Sequence, residues 1–83
     1  MKITFLPHAR DQMREYVIPE ERARATLADP DREYPSYKGR VVAEKVFPGE
    51  RLAVKVVYNS GLGGERVVVT VMRGRPLGDK EGQ

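Results

Sequence analysis

The stretch LPHARDQM, residues 6–13, holds the only histidine of the chain, His8, one position after Pro7. An imidazole titrates near neutral pH and serves equally as acid or base, which makes His8 a candidate catalytic group. Metal-independent RNA cleavage is the chemistry to test. It needs a base for the 2′-hydroxyl, an acid for the leaving oxygen, and cations around the pentacoordinate phosphorus. His8 follows a strand and opens a helix, where backbone N–H groups attract anions. The competing role is local: the ring bonds a neighbouring carbonyl or carboxylate and fixes the corner. At a helix start the neutral ring is electrostatically preferred.

Cations suited to a phosphate recur along the second half of the chain: Arg40, Lys45, Arg51, Lys55, Arg66 and Arg73. Lys55 stands out because it interrupts an apolar strand on the side away from the expected core, so it joins His8 as a candidate catalytic residue. Arg40, Lys45, Arg51 and Arg73 are candidate RNA contacts, with Tyr58 or Tyr37 available to stack on a base. The alternative is an ordinary solvated sheet face whose cations guard against edge aggregation. The glycine-rich stretch NSGLGGE, residues 59–65, lies between two strands and lacks the Gly-Lys-Ser/Thr ending of a phosphate loop, so it reads as a hairpin loop. No nucleophile–base pair, cofactor fingerprint or metal-ligand cluster is apparent, and there is no cysteine for a disulfide or thiolate zinc site.

These residues sit in an 83-residue chain, long enough for one domain. A domain of this size buries only about 60–65% of its unfolded surface, so its stability is expected to be modest. The net charge is +3, unevenly spread. Through Tyr37 there are six Lys/Arg against seven Asp/Glu, and from Lys38 onward nine against five. The basic second half suits nucleic acid or an acidic partner. No apolar run approaches the ~20 residues of a membrane span and no leader pattern is seen, so a soluble cytoplasmic protein is expected.

The elements that must position the site follow from periodicity. KITFL (2–6) alternates as a short strand. Pro7 opens a helix whose apolar positions Ala9, Met13, Tyr16 and Val17 share a face, and Pro19 both ends it and starts the next. In the second helix Glu20 and Glu21 occupy the first turn, Ala23 and Leu27 form a narrow buried stripe, and Asp29-Pro30 stops it. Residues 31–40 read as a connector with one or two extended residues. RVVAEKVF (40–47) and RLAVKVVY (51–58) pair through the Pro48-Gly49-Glu50 turn, and RVVVTVM (66–72) completes a meander. Leu52, Val54, Val56 and Tyr58 share the natural core face. The last strand is apolar on both faces, which implies a central position or a dimer contact. The expected product is an α+β domain over residues 1–72, with two N-terminal helices on a four-stranded, mainly antiparallel sheet (β-α-α-β-β-β). A flexible charged tail is expected over 73–83.

Several residues carry a resemblance. His8-Ala9, Met13, Glu15, Ile18 and Glu20-Glu21, then Asp29-Pro30-Asp31-Arg32, Tyr37, Gly39-Arg40 and the strand VVVTVM resemble a small bacterial family, domain of unknown function 4258. Its members open roughly H-A-x-x-R-M-x-E-R-G-I-S-x-E-E-V. In outline that family is similar to the RelE/ParE/BrnT-like toxins, whose ribonuclease members act with Lys, Arg, Glu, Tyr or His on the sheet and helix edge. The resemblance spans about residues 3 to 72 and implies RNA and an antitoxin-like protein as partners. This chain departs from the pattern at Gln12 and Tyr16, each where arginine is usual, at Val17 where glycine is usual, and at Pro19 where serine is usual.

Two functions remain open at this level. One is a toxin-like RNA-binding protein or metal-independent ribonuclease using His8 and Lys55, with Arg40, Lys45, Arg51, Arg73 and Tyr58 as contacts. The other is a non-catalytic interaction module that binds an acidic partner or pairs as a homodimer through its last strand.

Overall fold

A computed structural model describes residues 1–77. In chain order the elements are strand β1 (Ile3–Phe5), helix α1 (Pro7–Glu15), helix α2 (Glu20–Ala28), and strands β2 (Arg32–Pro35), β3 (Val41–Lys45), β4 (Ala53–Ser60) and β5 (Arg66–Gly74). The α+β class is as expected, but the sheet has five strands in the order β1-β5-β4-β3-β2. It is mixed, because β1 runs parallel to β5 while every other pairing is antiparallel. The extra strand is β2, in the segment expected to be mostly connector. Four residues ending in a proline give little strand signal, yet an edge position tolerates Pro35 because one side of the strand needs no donor. Asp31 secures its start: its backbone N–H donates to Glu44 O at 2.9 Å, and its carboxylate accepts the Val46 N–H at 2.8 Å.

Both helices pack on one face of the sheet. Ala9 and Met13 of α1 and Ala23 and Leu27 of α2 meet Phe5, Ala43, Val54, Val56, Tyr58, Val68 and Val71 in one core, with Ile18 between the helices. Val54, Val56 and Tyr58 thus face inward as expected, whereas Leu52 lies in the bend before β4 and is largely exposed. Thr26, the polar residue within the α2 stripe, satisfies its hydroxyl on the Arg22 carbonyl one turn back, at 2.8 Å. The β3–β4 turn has Gly49 at φ +83° and a Glu50 N–H to Phe47 O bond of 3.0 Å, the type II arrangement that Pro-Gly favours.

The end of α1 differs from the periodic reading. The helix stops at Glu15, so Tyr16 and Val17 are exposed instead of continuing the buried face. Val17 adopts φ +54°, the left-handed position just past a helix, while Ile18 turns inward. This conformation is costly for a β-branched side chain and free for glycine. Val17→Gly is therefore expected to stabilise the protein by about 1 kcal/mol and raise Tm by roughly 4–8 °C in a thermal melt.

Strand β5 is central only in part. β1 covers Arg66 to Val68, and a bulge relative to β4 falls between Val57 and Tyr58. Beyond Val68 its outer edge is met by a side chain: Gln12 of α1 accepts the Val71 N–H at 3.2 Å. Gln12 thus closes part of a sheet edge. Strand β5 also runs to Gly74, so the expected tail loses its first two residues to the sheet. Residues 78–83 lie outside the described part of the chain.

Candidate functional site

The alternation of the strands sorts the candidate residues onto two faces. Lys45, Val54 and Arg73 stand in one row across β3, β4 and β5, on the helix side. Arg32, Glu44, Lys55 and Met72 form the neighbouring row on the opposite, open face. The expected cations therefore do not converge on one surface.

On the helix side both cations are engaged at helix ends. Lys45 donates to the Asp29 carbonyl at the end of α2 at 2.9 Å and lies 3.6 and 3.7 Å from the Asp29 and Asp31 carboxylates. Arg73 donates to the carbonyls of Tyr16 and Val17, at 3.3 and 3.1 Å, and to Glu50 at 3.0 Å. Helix C-termini present unsatisfied carbonyls and partial negative charge, and both side chains answer that need. Tyr58 is only 3% exposed. Its hydroxyl donates to Glu33 at 2.8 Å, its ring lies under the Arg66 guanidinium at 4.9 Å, and burial pushes the phenol above its ordinary value. It offers no free face to a base, whereas Tyr37 is 76% exposed. Arg51 is exposed in the bend after the β3–β4 turn.

His8 is the second residue of α1 and is exposed, and its ring makes no hydrogen bond or ion pair with the described residues. It stands on the helix side of the sheet, and Lys55 on the other. The two candidate catalytic residues belong to different surfaces and do not form one centre.

What gathers around Lys55 instead is a polar cluster that single residue types did not reveal. Glu44 is only 2% exposed although no helix covers its face. Its Oε1 accepts the Tyr34 hydroxyl at 3.0 Å and lies 3.4 Å from Lys55 Nζ. Lys55 also reaches the Tyr34 oxygen at 3.4 Å. The second carboxylate oxygen accepts the backbone N–H of Leu77 at 2.8 Å and lies 3.9 Å from Arg32 Nε. Burial raises the Tyr34 phenol above its ordinary value; the Lys55 contact opposes that and the Glu44 contact adds to it. An acid–base pair joined through a phenol is a set of groups able to move protons. Tyr34 further lines a hollow of about 340 Å³ at the β2 edge, bordered by Pro35, Ser36 and the half-buried Arg40.

Sequence reading found Lys55 and missed Glu44, Tyr34 and Arg32. Glu44 carried one usable signal: it is the single acidic residue in a run otherwise apolar from Val41 to Ala43, in register with the lysine of the next strand. Tyr34 and Arg32 could not be placed without knowing that residues 32–35 form a strand.

No helix of the described residues is long and apolar enough to cross a membrane. No family model, curated protein or solved structure matches the chain.

Proposed function

We propose that the protein acts on RNA through its open sheet face, as a toxin-like RNA-binding protein or metal-independent ribonuclease, with Lys55, Glu44 and Tyr34 as the working groups. The observation that carries this reading is the contact set of Glu44, Tyr34 and Lys55 beside a hollow that Arg40 borders. In such a reaction Glu44 takes the 2′-hydroxyl proton as that oxygen attacks phosphorus. Tyr34 or Lys55 returns a proton to the departing 5′-oxygen, leaving a cyclic phosphate. Arg32 and Arg40 offset charge on the phosphate. The resemblance to the family of domain 4258 and its RelE-like outline points the same way. His8 is left out of this centre because it lies across the sheet.

The second reading, an interaction module or homodimer, is favoured by Val67, Val69 and Met72 of β5, which are only half-buried. It is also favoured by the engagement of Lys45 and Arg73 inside the protein. Binding and cleavage of a labelled single-stranded RNA decide between them, measured across a salt series for the native protein, Tyr34→Phe and Arg40→Ala. The RNA reading expects affinity that falls with salt, a loss of about one phosphate contact's worth of salt dependence in Arg40→Ala, and cleavage lost in Tyr34→Phe. A native protein that neither binds nor cuts RNA at low salt removes that reading, and a concentration-dependent dimer mass would support the second.

A further inference from the structure

Among the described residues, Lys2, Lys38, Arg40, Arg51 and Arg66 form neither an ion pair nor a side-chain hydrogen bond, unlike the cations of the helices and of the Glu44 cluster. Arg51 stands near the β3–β4 turn. The other four gather at the opposite end of the sheet, where β1, β3 and β5 begin and β2 and β4 finish. Lys2 precedes β1, and its carbonyl accepts the Arg66 N–H at 2.8 Å; Lys38 and Arg40 belong to the β2–β3 turn. The carboxylates of Glu33 and Glu65, also at this end, accept the Tyr58 and Thr4 hydroxyls and pair with none of the four cations.

The fold gains little from two of these side chains. Arg66 is half-buried with its guanidinium 4.9 Å over the Tyr58 ring, and its Nε is buried without a hydrogen-bond partner, which is unfavourable for folding. Lys38 sits at φ +56° and Gly39 at φ +75°, and the Arg40 N–H donates to the Tyr37 carbonyl at 3.1 Å, a type I′ turn. Asparagine or glycine suits the first of those positions, and lysine does not. The Lys38 ammonium lies 5.9 Å from the centre of the Tyr37 ring, and Tyr37 is 76% exposed. The turn thus presents a cation and an aromatic face to solvent at a conformational cost. Beside it, Ser36, Gly39 and Arg40 border the hollow that reaches Tyr34.

We propose that this end of the sheet binds single-stranded RNA, with phosphates held by Lys2, Lys38, Arg40 and Arg66 and one unpaired base stacked on Tyr37. The strand then passes Arg40 and enters the Glu44–Lys55–Tyr34 centre through the hollow. A duplex is a poor fit, because a base inside a helix offers no free face to Tyr37. The assignment rests on the proposed RNA function and adds its substrate class and its path. Leu62 of the β4–β5 loop, 97% exposed at the same end, would suit an anionic membrane surface instead. The spread of the cations from β5 to β3, two strand spacings or about 10 Å, and the hollow leading to Tyr34 favour a linear polyanion.

The test is fluorescence anisotropy of a labelled oligouridylate, free and annealed to its complement, with full-length protein across a salt series. The native protein is expected to bind the single strand at least tenfold more tightly than the duplex. Lys2→Gln and Lys38→Asn each lower the log–log salt slope by about 0.7. Lys38→Asn also raises Tm, because asparagine suits the turn, so stability and affinity move in opposite directions. Tyr37→Ala weakens binding about tenfold. Tyr37→Phe and Arg51→Gln, the latter removing an equal charge at the far end, change it less than twofold. RNA binding undiminished in either Lys38→Asn or Tyr37→Ala overturns this site and leaves the RNA reading standing, and equal affinity for the duplex overturns the single-strand assignment. A native protein that binds no RNA removes both. Phosphatidylserine vesicles bound by that protein and released by Leu62→Ser would then make this end a membrane-contacting surface.

Discussion

Lys55→Met is expected to lower the stability of the protein by about 3 kcal/mol, because it removes the mostly buried ion-pair partner of a buried carboxylate and leaves that charge to two hydrogen bonds and a half-exposed arginine. Glu44 is 2% exposed; Lys55 Nζ lies 3.4 Å away, and Arg32 lies at 3.9 Å with its side chain half in solvent. Methionine preserves the length of the aliphatic stem, so the loss isolates the charge. In a domain of this size a change of that magnitude lowers Tm by more than about 10 °C. Equilibrium urea unfolding of Lys55→Met, Glu44→Met and the double variant measures the coupling. Removing both charges is expected to recover at least half of the loss, since an apolar pair of similar volume no longer needs solvation. A Lys55→Met protein as stable as the native one would mean that Glu44 is solvated and that the cluster is looser than described.

The second large effect is expected at Arg73. It was a candidate RNA contact, but its guanidinium reaches two carbonyls at the end of α1 and the Glu50 carboxylate, and Glu50 in turn meets Arg22 at 3.2 Å. Arg73→Ala removes a helix cap and an ion pair at a site only 24% exposed, at an expected cost of about 2 kcal/mol. Arg73→Lys recovers less than half, because an ammonium lacks the fork that spans carbonyls and carboxylate together. Thermal melts give the stability change, and RNA affinity measured well below Tm is expected to be unaltered. A variant of native stability with weakened RNA binding would return Arg73 to the list of phosphate contacts.

These two positions show where residue-by-residue reading stops. Lys55 was legible as unusual because a lysine among valines breaks a pattern, and strand alternation placed it correctly away from the core. Arg73 had no such context, since it follows the last clear apolar residue and reads as the start of a tail. Its role depends on carbonyls of residues 16 and 17, more than fifty positions earlier. His8 drew attention as the only histidine, and chemical type alone could not say that Lys55 would lie across the sheet from it.

The sequence by itself determined the presence of the two helices, the stop of α2 at Asp29-Pro30, the Pro-Gly turn and the core positions Ala23, Leu27, Val54, Val56 and Tyr58, because periodicity and backbone restriction are local properties. Tertiary structure alone decided that β1 lies parallel to β5, that residues 32–35 complete the sheet as an edge strand, and that Val17 takes a left-handed turn. It also decided which charges meet. A cross-strand pair such as Glu44 and Lys55 depends on register, and the Leu77 amide reaches Glu44 only because the chain doubles back over an uncovered face. Interactions between distant parts of a chain are set by how its elements pack, and that information is absent from the spacing of residues along it.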